Sequence, residues 1–404
     1  MKIAFVTSQM IVGGAETYIA RKSDWLIKHG HEAIAISEGG CFVEKLPSSM
    51  KHVQLKNISC VPYLLSVKKL KALIKKLVTI LHEERVDVIE AYDHYPIIYV
   101  FISYHLHKIP FFLNTLTEVT YDHNWLLCKI TSIMNKQKAY YTLADGMNTY
   151  IEAQCGHSLT PEIIPIPFDV AIESNYTSTS NYILTVARFA PDKMYIKYLM
   201  EGFAAFISTH SEYSNLDLYI VGDGPLHSEV EDLADSINEK VHRQAVILKG
   251  TLVGEKLLEL YKDCLLYVGV GTTLLMAASY SKPAVIGSVY KDLQPFAFGF
   301  FADGIDGNNI CGYLNMYERR SSYGEILTRF FDSTDTQKEA YARTAYLLIE
   351  RYYDLNMVMD KWTQIYSRHK CSKIMNGMLV YSHVWWLIVK GMCMVYPAYK
   401  KIKC

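Results

Sequence analysis

The chain has 404 residues, more than one hydrophobic core ordinarily organises, so two domains are expected. Half of the residues are apolar and a fifth are charged, which excludes a disordered or fibrous protein. Lysine plus arginine number 41 and aspartate plus glutamate 41, so the formal charge cancels; that argues against nucleic acid as a partner while leaving room for a local basic site for one anion.

The chain opens Met1-Lys2-Ile3-Ala4-Phe5-Val6-Thr7, an apolar run too short for an export signal, and it reads as a first strand. Further short, β-rich apolar runs follow at 33–37, 86–89, 111–114 and 140–143, then at 182–187, 216–221, 245–248, 265–270 and 283–286. Runs that are apolar on both faces and separated by helix-length segments describe parallel strands covered by helices. Ile196, Leu199, Met200, Phe203, Phe206 and Ile207 show the helical spacing that lays one apolar stripe on a sheet. The stretch Glu173-Ser174-Asn175-Tyr176-Thr177-Ser178-Thr179-Ser180-Asn181 is small and polar, as a linker is. The pattern therefore predicts an α/β protein of two Rossmann-like, doubly wound domains, 1–170 and 182–345, with ligands beyond the carboxyl ends of their strands in a cleft between the sheets. Nine cysteines, an odd number with no Cys-x-x-Cys pair, read as reduced cytosolic thiols.

The segment 369–404 is different. Residues 374–396 are mostly apolar and contain Trp385 and Trp386, with Lys400, Lys401 and Lys403 behind them. The charge-free part, 374–389, falls short of the ~20 residues that span a bilayer, so the expectation is a helix lying on a membrane surface.

Several loops carry chemistry. Gly13 and Gly14 follow the first strand and precede a helix, allowing close backbone approach to a ligand at a helix start. Arg188 and Lys193 follow the strand at 182–187, where a guanidinium fork and an ammonium can grip one diphosphate. The next strands lead to Gly222-Asp223-Gly224-Pro225, to Gly250, and to Gly269-Val270-Gly271-Thr272-Thr273, whose last amides can form an anion nest at a helix start.

In their order and spacing these residues resemble the retaining, GT-B-fold glycosyltransferases of family 4, also called group 1, over nearly the whole chain to about Tyr366. Gly13-Gly14-Ala15-Glu16 is similar to the family's N-terminal glycine loop and Gly30-His31-Glu32 to the end of its first helix. Ile164-Pro165-Ile166-Pro167-Phe168-Asp169 is similar to the segment entering the hinge, and Ser281-Lys282-Pro283 to the turn after the last donor-side helix. The resemblance implies sugar transfer with retention from a nucleotide diphosphate donor and helices, 346–368, that cross back to the first domain. It makes Arg188 and Lys193 the diphosphate grip, and it puts Gly13, Gly14, Gly222, Gly224, Gly250, Gly271, Thr272, Thr273 and Met276 in donor binding.

The chain departs from the family at two places. The family's two glutamates fall here on Val268 and Met276. The second accepts hydrogen bonds from the donor ribose, and a thioether there costs roughly 1–3 kcal/mol if the hydroxyls are left buried. In the first domain, Glu90-Ala91-Tyr92-Asp93-His94 and Thr115-Leu116-Thr117-Glu118 replace the usual histidine motifs, so His94 and Glu118 stand in as polar contacts to donor or acceptor, with His123 nearby. As the bond to the sugar breaks, Arg188, Lys193 and the amides near Thr273 stabilise the leaving diphosphate. No metal or other cofactor is expected, because cations of the protein do that work; consistently, no Asp-x-Asp occurs in the sequence.

A nicotinamide dehydrogenase wants Gly-x-Gly-x-x-Gly and a P-loop ATPase wants Gly-x-x-x-x-Gly-Lys-Ser/Thr; neither motif is present. A sugar-nucleotide epimerase shares the architecture but gives no reason for an apolar tail. A non-catalytic, glycosyltransferase-like partner subunit is the alternative that Met276 motivates. The expected partners are a nucleotide sugar, a lipid-linked oligosaccharide or glycan acceptor, and the inner face of the cytoplasmic membrane, as in capsule, exopolysaccharide or lipopolysaccharide synthesis.

Overall fold

The computed structural model describes residues 1–11, 13–92, 94–122, 124–170, 176, 180–288, 296–303, 310, 321–371 and 377–402. The chain divides into two compact units, Met1–Pro167 with Asn356–Cys404, and Phe168–Leu355. The sequence pattern puts the boundary near 170–181, of which 171–175 and 177–179 lie outside the described residues. It puts the returning helices at 346, whereas the chain re-enters the first unit at Asn356. The two crossings run side by side: the Phe168 amide donates to Tyr353 O at 2.7 Å, and Phe168 bridges Asp354 in parallel.

The first unit begins β1 (Lys2–Val6), α1 (Gly14–Lys28), β2 (Glu32–Ser37), β3 (Lys51–Gln54), α2 (Val67–Glu83), β4 (Val88–Ala91) and α3 (His94–His107). It continues with β5 (Phe111–Thr115), α4 (Trp125–Lys136), β6 (Tyr140–Thr142), α5 (Asp145–Cys155) and β7 (Glu162–Ile163). Its sheet is parallel throughout, in the order β3-β2-β1-β4-β5-β6-β7. Ile3, Ala4, Phe5 and Val6 are fully buried, as a central strand covered on both faces must be.

The second unit contains β8 (Tyr182–Val186), α6 (Tyr195–Thr209), β9 (Asp217–Val221), α7 (His227–Lys240), β10 (Val246–Leu248), α8 (Glu255–Asp263), β11 (Leu266–Gly269) and α9 (Thr272–Ser279). After these come β12 (Ala284–Ile286), β13 (Phe296–Ala297), β14 (Gly299–Phe300), β15 (Ser321–Ser322), α10 (Tyr323–Phe331) and α11 (Asp335–Tyr353). The main sheet runs β10-β9-β8-β11-β12-β14, with only the edge strand β14 antiparallel, and β13 pairs β15 separately. The stripe predicted on α6 is buried in this unit's core. Capping boxes start the last two helices: Ser322 with Glu325, and Thr334 with Gln337.

α12 (Leu355–Cys371) and α13 (Met378–Ile402) complete the first unit. α12 buries Trp362, Ile365, Tyr366 and His369, with Trp362 and His369 stacked on Phe112 of β5. At its centre lies an ion pair without solvent exposure. Lys22 Nζ on α1 donates to both oxygens of Glu90 on β4, at 2.8 and 2.9 Å, and sits 3.4 Å from the centroid of a Trp362 ring. Asn114 Nδ2 donates to the same carboxylate at 2.6 Å, and the Tyr92 and Tyr366 hydroxyls donate as well. Burial draws the Lys22 pKa below its ordinary value, and the Glu90 carboxylate acts against that shift.

A buried charge stripped of its partner is far more costly than a buried pair. Glu90→Gln should therefore lower the unfolding free energy by about 3–5 kcal/mol in urea titration. The double substitution Lys22→Met with Glu90→Gln should recover part of that loss. A double variant no more stable than Glu90→Gln alone would show that the pair does not act as a unit.

Candidate functional site

In the second unit the carboxyl ends of the parallel strands share one edge, and the strand order reverses between β8 and β11. Open α/β sheets bind ligands at such a switch point. The loops flanking it are 187–194, after β8, and 270–271, before α9.

The loop after β8 is held by backbone contacts to the loop after β9. The Ala187 amide donates to Val221 O, Phe189 to Asp223 O and Leu226 to Phe189 O, at 3.0, 2.9 and 3.0 Å. Gly222 and Gly224 make this closeness possible. At φ +145° and +157° they occupy conformations other residues resist, and a Cβ on either would lie 1.9 Å from Ala187 O or 2.5 Å from Phe189 O. These two glycines thus fit loop to loop. Phe189 is buried beneath, and the Arg188 side chain on top is 68% exposed.

Lys193 ends the short 3-10 turn Pro191–Lys193. Asp192 lies between the two cations, 3.5 Å from Arg188 Nη2 and 3.0 Å from Lys193 Nζ. Burial on its own would raise the Asp192 pKa; the Lys193 ammonium and the Arg188 guanidinium outweigh it and hold the carboxyl below its ordinary value. Both cations are marked in the sequence by their place after β8, whereas nothing marks the carboxylate between them.

Across the switch point, Gly271 is the N-cap of α9 at φ +68°, with no side chain capping the helix. The amides of Leu274 and Leu275 turn back to Gly271 O, while those of Thr272 and Thr273 head the helix, where no intrahelical acceptor exists. The Thr273 hydroxyl donates to Val270 O at 2.9 Å. Two cations and a helix start on the two loops of one switch point are the elements of an anion site. Gly250, at φ +63°, accepts the Gly222 amide at 2.9 Å and has open space where a Cβ would stand. Val268 lies wholly in the core of this unit, on β11, and Met276 is half-buried on α9, so neither family position carries a carboxylate.

The first unit repeats the geometry. Its order reverses between β1 and β4, and the loops there lead to Gly13 and to His94. Gly13 is the extended N-cap of α1, again with no side-chain cap, and Gly14 has open space around its Cβ position. His94 opens α3, half-buried, its ring 5.5 Å from that of Tyr95. Glu118 begins a 3-10 turn after β5; its side chain, like Asp93 and His123, lies outside the described residues. Glu90, read from sequence as part of the loop motif, instead belongs to β4 and is consumed by Lys22.

No protein-family model and no curated protein matches the sequence significantly. Solved structures do match in fold. A glycosyltransferase from Rickettsia africae ESF-5 superposes with a TM-score of 0.68 at 15% identity, covering 92% of this chain and 99% of that one. Anabaena Alr3699/HepE, in complex with UDP and glucose, gives 0.63 at 17% identity, covering 91% and 100%. WaaG, a glycosyltransferase involved in lipopolysaccharide biosynthesis, gives 0.58 at 15% identity, covering 90% and 99%. The fold is α/β, with the two Rossmann-like domains of the GT-B architecture.

The glycines make separable predictions. Gly222→Ala forces a backbone clash and should lower the thermal midpoint by an amount corresponding to roughly 1–3 kcal/mol. Gly250→Ala, which meets open space, should cost no more than about 1–2 kcal/mol of left-handed backbone strain. Equal losses measured by calorimetry would contradict the loop-packing account.

Proposed function

We propose that the chain is a glycosyltransferase in which the second unit binds a nucleoside diphosphate sugar and the first unit binds the acceptor. The observation that carries this reading is the Asp192 carboxylate held between Arg188 and Lys193, because two cations that close on one anion from within the protein are disposed to close on a diphosphate. The open amides of Thr272 and Thr273 on the facing loop of the switch point add a dipole of the right sign. The UDP and glucose held by HepE, a protein of the same fold, support the choice of ligand class.

Transfer proceeds with retention and without a metal. As the bond to the sugar breaks, negative charge accumulates on the leaving diphosphate, and Arg188, Lys193 and the α9 amides stabilise it, a contribution of several kcal/mol where water is excluded. Gly222, Gly224 and Gly250 shape the loops that present these groups, and Met276 replaces the ribose acceptor with an apolar contact. Gly13 and Gly14 belong to donor binding, and His94 and Glu118 are polar contacts to donor or acceptor. The acceptor is a lipid-linked oligosaccharide or glycan, used at the cytoplasmic face of the membrane in cell-surface polysaccharide synthesis.

A second reading is a glycosyltransferase-like subunit that binds the nucleotide and supports a catalytic partner. It is favoured by the burial of Val268 in the core and by the thioether at Met276. Incubation with a panel of nucleotide sugars and membrane lipid extract, followed by mass spectrometry, separates the two: a glycosylated product supports transfer, and nucleotide binding without product supports the subunit.

Arg188→Ala with Lys193→Ala should reduce UDP affinity at least about 100-fold in calorimetry, two charge-assisted contacts being lost. Near-normal binding would refute the site. Asp192→Asn, which removes the competing carboxylate, should tighten binding of inorganic pyrophosphate by roughly 3- to 10-fold at low salt. Weaker binding would mean that Asp192 orders the cations more than it competes with the ligand.

A further inference from the structure

α13 is apolar on both faces. Its inner face is docked within the first unit: Met378 and Val389 are fully buried, Ser382 Oγ accepts the His105 amide at 2.9 Å, and Cys393 Sγ donates to Pro62 O at 3.1 Å. The opposite face presents Val380, Val384, Leu387, Ile388, Met394 and Val395, with Val380, Leu387 and Val395 at 65, 50 and 67% exposure. A helix on the surface of a water-soluble protein puts polar residues there. Beside this face, exposed Trp125 of α4 meets Trp385 with ring centroids 5.8 Å apart.

Charge lies next to it. α13 packs against the turn Pro62–Leu64 and against α2, into which that turn leads, and Leu64 on the turn is itself exposed. α2 buries Leu70, Leu73, Ile74, Leu77, Ile80 and Leu81, while Lys68, Lys69, Lys71, Lys75 and Lys76 stand exposed on its other side, with no acidic residue in the helix before Glu83. These five lysines form no ion pair among the described residues.

We infer that the outer face of α13 and the lysine row of α2 form one docking surface for an anionic lipid bilayer, on which the protein lies without crossing it. The apolar face enters the headgroup boundary while the lysines meet anionic headgroups, two signals of the kind that stable membrane association requires. The window Met378–Val395 is apolar and long enough to cross a bilayer by length and composition, but its docked face holds it to α3 and to the turn at Pro62. The inference deepens the membrane-face part of the proposed function. It is tested without sugar chemistry, so a protein that binds vesicles and transfers nothing tells the two readings apart.

The test is co-sedimentation of the full chain with vesicles of phosphatidylcholine alone or containing phosphatidylglycerol. Binding should be at least tenfold stronger with the anionic lipid and fall as salt is raised. Lys68→Glu with Lys71→Glu and Lys75→Glu should abolish the preference for phosphatidylglycerol. Val384→Glu with Leu387→Glu should reduce binding at least tenfold on both vesicles, with the thermal midpoint checking that each variant is folded. Should the apolar-face variant not fold, the lysine variant decides. Equal binding of wild type and lysine variant overturns the inference. So does resistance to alkaline carbonate extraction, which would mean a crossing helix. A dimer in vesicle-free ultracentrifugation that Leu387→Glu dissociates would also overturn it, the face then belonging to a second copy.

Discussion

The first unit is organised around a charge pair that water never reaches. Lys22 and Glu90 are both fully buried, and removing two ions from water is tolerable only when every remaining lone pair and proton is used. Here the carboxylate takes donors from α1, from β5, from Tyr92 just beyond its own strand and from Tyr366 of α12, and the ammonium rests on a Trp362 ring of the same returning helix. The pair is thus satisfied only when the chain has come back at Asn356. Residues separated by most of the sequence are made interdependent. Arg368 with Glu162 and Lys370 with Asp87 tie α12 down further at the surface, where each pair contributes much less.

The second unit solves a different problem, that of presenting cations at a strand end without collapsing onto them. Backbone fills the space beneath Arg188, because Gly222 and Gly224 let two loops interlock where side chains would hold them apart. Asp192 then pairs with both cations, within hydrogen-bond reach of Lys193 and at longer range from Arg188. Gly222 and Gly224, which look in sequence like ligand-contact positions, also pack loop against loop.

The central strands were legible because burial on both faces leaves an unbroken apolar run, as at β1 and β8. Of the edge strands only β10 was: β3 reads Lys-His-Val-Gln, and β7 and β14 have two residues each, too few to show any period. Arg188, Lys193 and the glycines could be found by order along the chain. Glu90 could not be placed, since an acidic residue at a strand end reads as solvated until its buried partner is known. Asp192 was hidden in the same way, one charge among several in a loop. The tail announced itself by composition, but which side of α13 is docked depends on Ser382 and Cys393, small residues whose role appears only with His105 and Pro62 opposite them.

The substitutions at Val268 and Met276 bear on how the cations must act. Val268 is part of the packed sheet core, so a carboxylate at that position would be buried among Leu266, Val285 and their neighbours at a desolvation cost of several kcal/mol. An apolar residue suits this position, and β11 runs straight to the Gly271 turn with no acidic group on the way. What remains at the switch point is net positive: a guanidinium and an ammonium, with the Asp192 carboxylate between them, and a helix start. Such a site gains most from the species carrying most negative charge, which on the proposed reading is the diphosphate as it departs. On the proposed reading, a site without the paired carboxylates holds the ribose less firmly while keeping that differential, which favours the separating diphosphate over the bound donor.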